Sequence, residues 1–252
     1  MSKAAWSKYN PSKQELREKI WEHLIAVGAV DYNPRGHIPN FHHAEYAANQ
    51  LRRLDVWQQA KVIKCNPDKP QAPVRAYALA DGKLLYMAVP RLVDENCFVA
   101  LRREDVQAAG LTWEEASHKK IILELGRPVS FQAMEAIDLA IVGCVAASNA
   151  GGRTGKGAGF ADLELAMLKY FGLIKENMAI ATTIHEAQLV NPEVLPLEPH
   201  DWSLDWVCTP TRAIATNHNH PQPKGLYWLD IKPQQFQSIP ILKKLQTTEK
   251  IV

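Results

Sequence analysis

Apolar residues recur at helical spacing in the first part of the chain, at Leu16, Ile20, Leu24 and Val27. Ser12 and Glu15 stand three residues apart just before this series, which is the pattern of a capping box. The pattern predicts a helix from Lys13 to Val27 that ends at Gly28. Residues 43–54 have the spacing of a second helix.

The following segment predicts alternating strand and helix. The run KVIKCN, residues 61–66, is short and β-rich, which favours a strand. Residues 74–80 then predict a helix, and residues 84–89 predict a buried strand. A hairpin that turns through Asp81 and Gly82 fits the same pattern, so periodicity leaves both alternatives open.

The clearest buried strand is the continuous apolar run at residues 137–148, of the kind that a parallel sheet requires. A glycine-rich loop follows it, then a helix that ends at Gly172, and then a second apolar run at residues 178–184. This order predicts a crossover unit of an α/β fold. The glycine loop should therefore lie at the carboxyl edge of the sheet, where open α/β folds bind ligands.

Composition narrows the class of protein. Apolar residues make up 46% of the 252 positions and charged residues 22%, which are ordinary values for a globular domain. The net charge of +2 gives no general electrostatic reason to expect a nucleic-acid or membrane partner. No segment has the length and apolarity of a signal peptide or a membrane span, so a cytoplasmic protein is the simplest interpretation.

The cysteines do not indicate a metal site or a disulfide framework. They lie far apart, at Cys65, Cys97, Cys144 and Cys208, and no pair has zinc-site spacing. We expect reduced, buried thiols. His218 and His220 are the nearest approach to a histidine metal pair, but no third ligand accompanies them in the sequence.

Five of the 13 glycines fall between positions 151 and 159. A phosphate-binding P-loop would require glycine at Ala150 and serine or threonine after Lys156, and neither is present. The dinucleotide pattern fails too, because Gly155, Gly157 and Gly159 alternate strictly. What remains is a physical expectation, since main-chain amides at the start of a helix form a receptor for phosphate oxygens.

Charged side chains near this loop support an anion site. Arg153 and Lys156 lie within it, and cations favour bound phosphate. Asp162 follows at the start of the helix, where it either caps the helix or helps to hold magnesium; spacing alone favours the cap. Lys13 and Arg17 stand four residues apart on the first helix, and this pattern alone indicates a solvent-exposed basic edge.

The segment GRTGKGAGFADLE, residues 152–164, resembles the R-x-G-x-G-x-G-[YF]-x-D signature of the 5-formyltetrahydrofolate cyclo-ligase family. Three more segments agree in order: KQELR at 13–17, ATTIHEAQLV at 181–190 and LPLEPHDWSLDWVCTPTR at 195–212. The resemblance implies a three-layer αβα fold with a mainly parallel sheet, of the NagB/RpiA/CoA-transferase type. It also implies ATP and magnesium as cofactors.

Site residues follow from the resemblance by position. Lys13 and Arg17 resemble the pair that reaches the ATP phosphates, which reverses the expectation of an exposed edge. The loop residues implied to cradle the phosphates are Arg153, Gly155, Lys156, Gly157 and Gly159. Asp162 would lie near the metal, and Arg153, Lys156 and Asp162 would serve catalysis. Asn40, Glu45 and Gln188 lie in segments that match the substrate side of the cleft.

The reaction implied by the resemblance converts 5-formyltetrahydrofolate to 5,10-methenyltetrahydrofolate and releases ADP and phosphate. The family loop typically ends G-Y-Y-D-R, whereas this chain has alanine at position 161 and leucine at position 163. Other segments resemble a divergent branch of the family. ATP-dependent chemistry on another, thiamine-related heterocycle and a nucleotide-binding module without turnover therefore stay open as alternatives. A small-molecule substrate is expected, and the sequence does not indicate the oligomeric state.

For domain organisation, residues 1–212 predict a single α/β domain. Residues 213–252 are rich in proline and polar residues and predict an extension that packs on this domain or trails from it.

Overall fold

The computed structural model describes residues 10–92, 96–231 and 233–249. Residues 1–9, which belong to the segment without signal-peptide character, lie outside the described residues. The helices are α1 (Pro11–Ala26), α2 (Ala44–Arg52), α3 (Asp55–Gln59), α4 (Ala72–Ala80), α5 (Arg103–Ala108), α6 (Trp113–Ala116), α7 (Lys119–Leu125), α8 (Phe160–Tyr170), α9 (Pro233–Ser238) and α10 (Pro240–Glu249). The strands are β1 (Val62–Cys65), β2 (Leu84–Ala88), β3 (Phe98–Leu101), β4 (Arg127–Val129), β5 (Ile137–Ile141), β6 (Ala146–Ser148), β7 (Arg153–Thr154), β8 (Ile174–Thr183), β9 (Leu189–Val190), β10 (Trp206–Cys208) and β11 (Ala213–Ala215).

The first helix is confirmed, but its start differs from the prediction. Asn10 is the N-cap, and its side-chain oxygen accepts a hydrogen bond of 3.0 Å from the Lys13 amide. Pro11 occupies the first turn, where its missing N–H costs nothing. The predicted capping box at Ser12 and Glu15 is therefore wrong, because the chain enters the helix two residues earlier.

Among the described residues, eight strands form the large sheet in the order β11-β10-β8-β5-β1-β2-β3-β4. The five central strands from β10 to β2 run parallel, and β11, β3 and β4 add antiparallel pairs at the two edges. A second sheet has the order β7-β6-β9. The mainly parallel α/β architecture predicted from the sequence is confirmed.

Side chains of the central strands alternate between two cores, one on each face of the sheet. On β2, Leu84 and Tyr86 pack into one core, and Leu85 and Met87 pack into the other. This alternation follows from the two-residue period of a strand. Because both faces carry apolar side chains, both must be covered, and helices cover them in the three-layer arrangement that was predicted.

The ambiguous segment at residues 74–89 contains a helix and a strand. Helix α4 connects β1 to β2, and the two strands pair in parallel with Val62 opposite Leu84. A hairpin through Asp81 and Gly82 would require residues 74–80 to form a strand antiparallel to β2, but these residues lie in α4, so the hairpin alternative is excluded.

The apolar run at residues 137–148 was predicted to be one strand, but it contains two. Strand β5 ends at Ile141, and β6 begins at Ala146 in the smaller sheet. Between them, Gly143 passes so close to the β1–α4 connection that an added Cβ would lie 2.9 Å from Gln71 Oε1. The apolar pattern continues across this break because both strands are buried, so it could not reveal the change of sheet.

The segment after residue 212 contains regular structure that the sequence did not indicate. Strand β11 extends the large sheet, and α9 and α10 follow it. Ile239, Leu242 and Leu245 are buried in the same core as α8. This segment packs on the α/β domain, whereas the boundary at residue 212 stays a prediction.

The four cysteines are buried, as expected, and each carries a thiol rather than a disulfide. Burial raises the pKa of the Cys65 and Cys144 thiols to about 11 and that of Cys208 to about 12. Within the described ranges, the helices all fall short of the length and apolarity that crossing a bilayer demands.

Candidate active site

The glycine loop connects the β6–β7 hairpin to α8. Gly157 has φ of +100°, and Gly159, the N-cap of α8, has φ of +70°. Both are left-handed conformations that glycine adopts at little cost. Gly159 has no side chain that could cap α8, and Asp162 lies in the first turn, where its Oδ1 contacts Arg153 and the Trp202 amide. The first turn of α8 therefore begins at a glycine beside the loop.

Asp162 instead joins the loop to a distant segment. Its Oδ1 is paired with Arg153 Nη2 and accepts a hydrogen bond of 3.1 Å from the Trp202 amide. The Arg153 side chain is 2% exposed, and its Nε donates to the Trp202 carbonyl oxygen at 3.1 Å. Burial raises the pKa of Asp162, although the charge of Arg153 acts in the opposite direction.

Lys13 and Arg17 point from α1 towards the loop and are both buried. Lys13 Nζ lies 2.5 Å from Asp201 Oδ2 and 3.1 Å from Glu198 Oε2. Arg17 Nε donates to the Gly155 carbonyl oxygen at 2.7 Å, and burial lowers the pKa of Arg17. The exposed basic edge suggested by spacing alone is therefore wrong.

Lys156 extends across the loop to another wall. Its Nζ lies 3.1 Å from Asp68 Oδ1, in the connection that follows β1. The Lys156 side chain is 39% exposed, more than the other cations of the loop region. Among Lys13, Arg17, Arg153 and Lys156, it is therefore the cation that solvent or a ligand can reach most easily.

These residues surround a cleft of about 1840 Å³. All of residues 155–162 line it, so the rim beside the loop is open rather than plugged. Asp68 and Gly143, which follow β1 and β5, line its floor. The cleft therefore lies at the carboxyl ends of the parallel strands, as predicted from the order of elements.

Two of the three predicted substrate residues line this cleft. Asn40 precedes α2, and Glu45 lies in its first turn. Gln188 lies apart from them and is 1% exposed. Its amide nitrogen donates to the carbonyl oxygens of Cys144 and Val145, and its oxygen accepts from the His185 amide. These contacts support a positioning role for Gln188 between strand ends.

Several charged residues of the cleft were not identified from the sequence: Asp68, Glu164, Glu198, Asp201, His118, Lys119 and Lys120. Asp68 could have been found, because it follows a predicted parallel strand. Asp201 is the first of the two aspartates in the quoted segment at 195–212, the second being Asp205. Glu164 is paired with the fully buried Lys64 at 2.5 Å, and burial raises the pKa of Glu164.

His218, one of the two histidines that come nearest to a metal pair in the sequence, contacts protein groups through both ring nitrogens. His218 Nε2 contacts Asp205 Oδ1 at 3.2 Å, and Nδ1 contacts the His220 carbonyl oxygen at 3.1 Å. In the part of the chain that the structure describes, no group of three or more His, Cys, Asp or Glu side chains is arranged to hold a metal ion.

Fold and cleft together define an α/β protein with a mainly parallel sheet. A glycine loop lies at the carboxyl edge of this sheet, and the basic side chains beside it are those of Lys13, Arg17, Arg153 and Lys156. The model of the 5-formyltetrahydrofolate cyclo-ligase family matches residues 9–210, so the chain belongs to this family of ligase-type enzymes. The resemblance seen in the sequence is thereby confirmed.

Relatives agree with this membership. The methenyltetrahydrofolate synthase domain-containing protein of Bos taurus is 36% identical over 244 residues, covering 94% of this chain and 63% of the relative. Its counterpart in Homo sapiens is 34% identical over 244 residues, covering 94% and 62%. The chain thus spans a little under two thirds of the length of the curated relatives it matches.

A solved structure shows the same fold. The NMR structure of 5,10-methenyltetrahydrofolate synthetase from Aquifex aeolicus superposes with a TM-score of 0.52 at 18% identity, covering 86% of this chain and 98% of that one.

Proposed function

We propose that this chain is an ATP- and magnesium-dependent cyclo-ligase that converts 5-formyltetrahydrofolate to 5,10-methenyltetrahydrofolate with release of ADP and phosphate. The observation that carries the proposal is the convergence of Lys13, Arg17, Lys156 and the glycine loop on one open cleft in a member of this family. Its location in the cytoplasm stays a prediction.

The residues present fit a triphosphate. An added Cβ at Gly157 would lie 3.4 Å from Arg17 Nη1, so a side chain there would fill the space between loop and cation. At Gly155 an added Cβ would meet nothing within 4 Å, which leaves the backbone open to approach. Phosphate oxygens would replace the carboxylate partners of Lys13 and Lys156, because charge-assisted hydrogen bonds to phosphate are of the same kind.

Magnesium also fits, although no complete cage of protein ligands is expected. Mg²⁺ is usually held by one or two carboxylates together with phosphate oxygens and water. Asp162 and Asp201 would supply these carboxylates, since Asp162 already contacts Arg153 and Asp201 already contacts Lys13. The ion would neutralise charge on the transferring phosphoryl group.

In this reaction the terminal phosphoryl group of ATP passes to the formyl oxygen of the substrate. N10 then attacks the activated carbon, and phosphate leaves with that oxygen. Lys13, Arg17 and Lys156 would bind the phosphate oxygens and stabilise the charge that develops on them. Arg153 would hold Asp162 in place, since its guanidinium is buried against that carboxylate.

Position 163 favours keeping a second candidate, the same ATP-dependent chemistry on a different heterocycle. Leu163 stands where the family pattern has arginine, and it is 7% exposed and part of the core. Ala161 packs against the same core. The arginine and tyrosine of the family pattern therefore have no counterpart here.

A coupled assay tests the proposal. Purified chain, ATP and magnesium should release ADP and produce methenyl-folate absorbance only when 5-formyltetrahydrofolate is added. ADP release with a thiamine-type substrate alone would favour the second candidate. Nucleotide binding without turnover on either substrate would indicate a binding module and contradict the proposal.

A further inference from the structure

The carboxyl-terminal segment forms a wall of the cleft. We call residues 213–231 and 233–249, the described part of this segment, the extension. It lies beyond residue 210, where the family model ends, yet the match to the bovine relative covers 94% of the chain and so continues into it. The extension is therefore shared with these relatives but is not part of the general family pattern.

The extension is firmly attached to the domain. Strand β11 pairs with β10, with Ala215 opposite Trp206. Ile239 and Leu242 are fully buried, and the rings of Trp228 and Phe236 stack with centroids 6.0 Å apart. A wall anchored by buried apolar side chains holds its cleft-facing residues in fixed positions.

The cleft face of the extension differs chemically from the glycine loop. Its lining residues include Gly225, Leu226, Tyr227, Asp230, Ile231 and Gln235. Among these lining residues Asp230 is the charged one, and the others are uncharged. An aromatic ring, aliphatic groups and hydrogen-bonding oxygens suit an uncharged polar ring system rather than phosphates.

A chain of contacts connects this wall to Lys13, one of the cations proposed to bind phosphate. Asp230 Oδ2 lies 3.2 Å from His200 Nδ1, and His200 Nε2 lies 3.8 Å from Glu198 Oε2. Glu198 in turn contacts Lys13 at 3.1 Å. The extension thus lies next to the cations that are proposed to hold phosphates, whereas Asn40 and Glu45 line the cleft from the α2 side.

We propose that the extension forms the nucleoside subsite, with Tyr227 packing against the base and Asp230 accepting hydrogen bonds from the sugar hydroxyls. This inference rests on the proposed function, because it requires that the glycine loop holds the phosphates of the same nucleotide. It assigns a binding role to a segment outside the family model.

Two probes separate the nucleoside from the phosphates. Affinities for ATP and for inorganic tripolyphosphate are measured by titration calorimetry with the full chain and magnesium. Tyr227→Ala and Asp230→Asn should each weaken ATP binding about tenfold, as expected for losing one good contact in a binding pocket. Their affinity for tripolyphosphate should stay at the wild-type value, because that probe lacks a nucleoside.

Leu229→Ala is the matched control, since Leu229 lies in the same turn, is fully exposed and does not line the cleft. It should leave both affinities unchanged. Thermal denaturation of each variant identifies loss of folding, and Asp230→Asn, which preserves shape, gives an independent measurement if Tyr227→Ala is unstable.

The outcomes are distinguishable. Unchanged ATP affinity in the folded variants would overturn the subsite while leaving the proposed function intact. So would an effect confined to the KM for the heterocyclic substrate, which would assign the wall to that ligand. If wild-type chain bound neither ATP nor tripolyphosphate, the proposed function and the subsite would both fail.

Discussion

A lysine–aspartate pair lies at each end of the parallel strands, at the carboxyl edge where the strands end and at the amino edge where they begin. At the carboxyl edge Lys156 contacts Asp68, and at the amino edge Lys175 contacts Asp138. The lysines are similarly exposed, at 39% and 46%. Asp138 also accepts two main-chain hydrogen bonds of 2.9 Å at the start of β1, whereas Asp68 lines the cleft.

The difference teaches that the neighbours of an ion pair decide what it does. At the amino edge, main-chain hydrogen bonds fix the Asp138 carboxylate, so this pair has a structural role at the start of the strands. At the carboxyl edge the pair borders open space, and both partners are available to a ligand. The buried pair of Arg153 and Asp162 is a third case, in which a carboxylate beside the same cleft is held by an arginine.

The largest expected effect comes from breaking that buried pair. Arg153→Met leaves the Asp162 carboxylate largely buried without its cation, which should lower the free energy of unfolding by about 3–5 kcal/mol. Lys175→Met breaks an exposed pair and should cost about 1 kcal/mol or less. Urea denaturation at neutral pH measures both. Similar losses in the two variants would show that burial does not distinguish these pairs.

A smaller effect separates the two edges by function. Lys156→Ala should weaken ATP binding by about tenfold to a hundredfold, because a charge-assisted hydrogen bond to phosphate contributes about 1.5–3 kcal/mol. Lys175→Ala is the matched control, being a similarly exposed lysine paired with aspartate at the opposite edge. Equal affinities in a calorimetric titration would contradict the assignment of the glycine loop to phosphates.

Lys119 is a less suitable control, although it looks unremarkable in the charged stretch of the sequence. The structure places it in the wall of the cleft, with His118 and Lys120 beside it. This position could not be read from the residues, because the stretch has no pattern that relates it to the glycine loop.

Local elements of the fold were predictable where their apolar residues form a clear pattern. Helix α8 has apolar residues at helical spacing over 11 residues, and β1 and β2 are short β-rich runs that are buried along their whole length. Helices α6 and α7 contain four and seven residues, too few for a period to emerge.

The candidate site was predictable only in part. The order of strand, loop, helix and strand placed the glycine loop at the carboxyl edge, but Lys13 and Asp201, which lie 188 positions apart, meet through the tertiary fold. Spacing on α1 shows only that Lys13 and Arg17 share a face. Whether that face is exposed depends on packing against the glycine loop and the segment at Asp201, which no local pattern records.

The smallest predicted effect concerns the Lys175–Asp138 pair at the amino edge. Burial acts to raise the pKa of Asp138, but hydrogen bonds from Lys175 and from the amides of Val62 and Lys61 outweigh it, so the pKa lies below its usual value. A lowered pKa in the folded state stabilises the protein above the unfolded pKa of about 3.9, and this stabilisation is lost as pH falls through the folded value. Asp138→Asn should therefore cost about 1 kcal/mol at neutral pH and less below about pH 4.

Urea denaturation from pH 7 to pH 3 measures this narrowing difference between wild type and Asp138→Asn. Lys61→Ala provides the control, because it removes an exposed side chain while preserving the main-chain donor to Asp138. Its pH profile should follow the wild type. A cost of Asp138→Asn that stays constant across this range would mean that the carboxylate charge does not stabilise the amino edge, and the contrast between the two edges would then rest on the cleft alone.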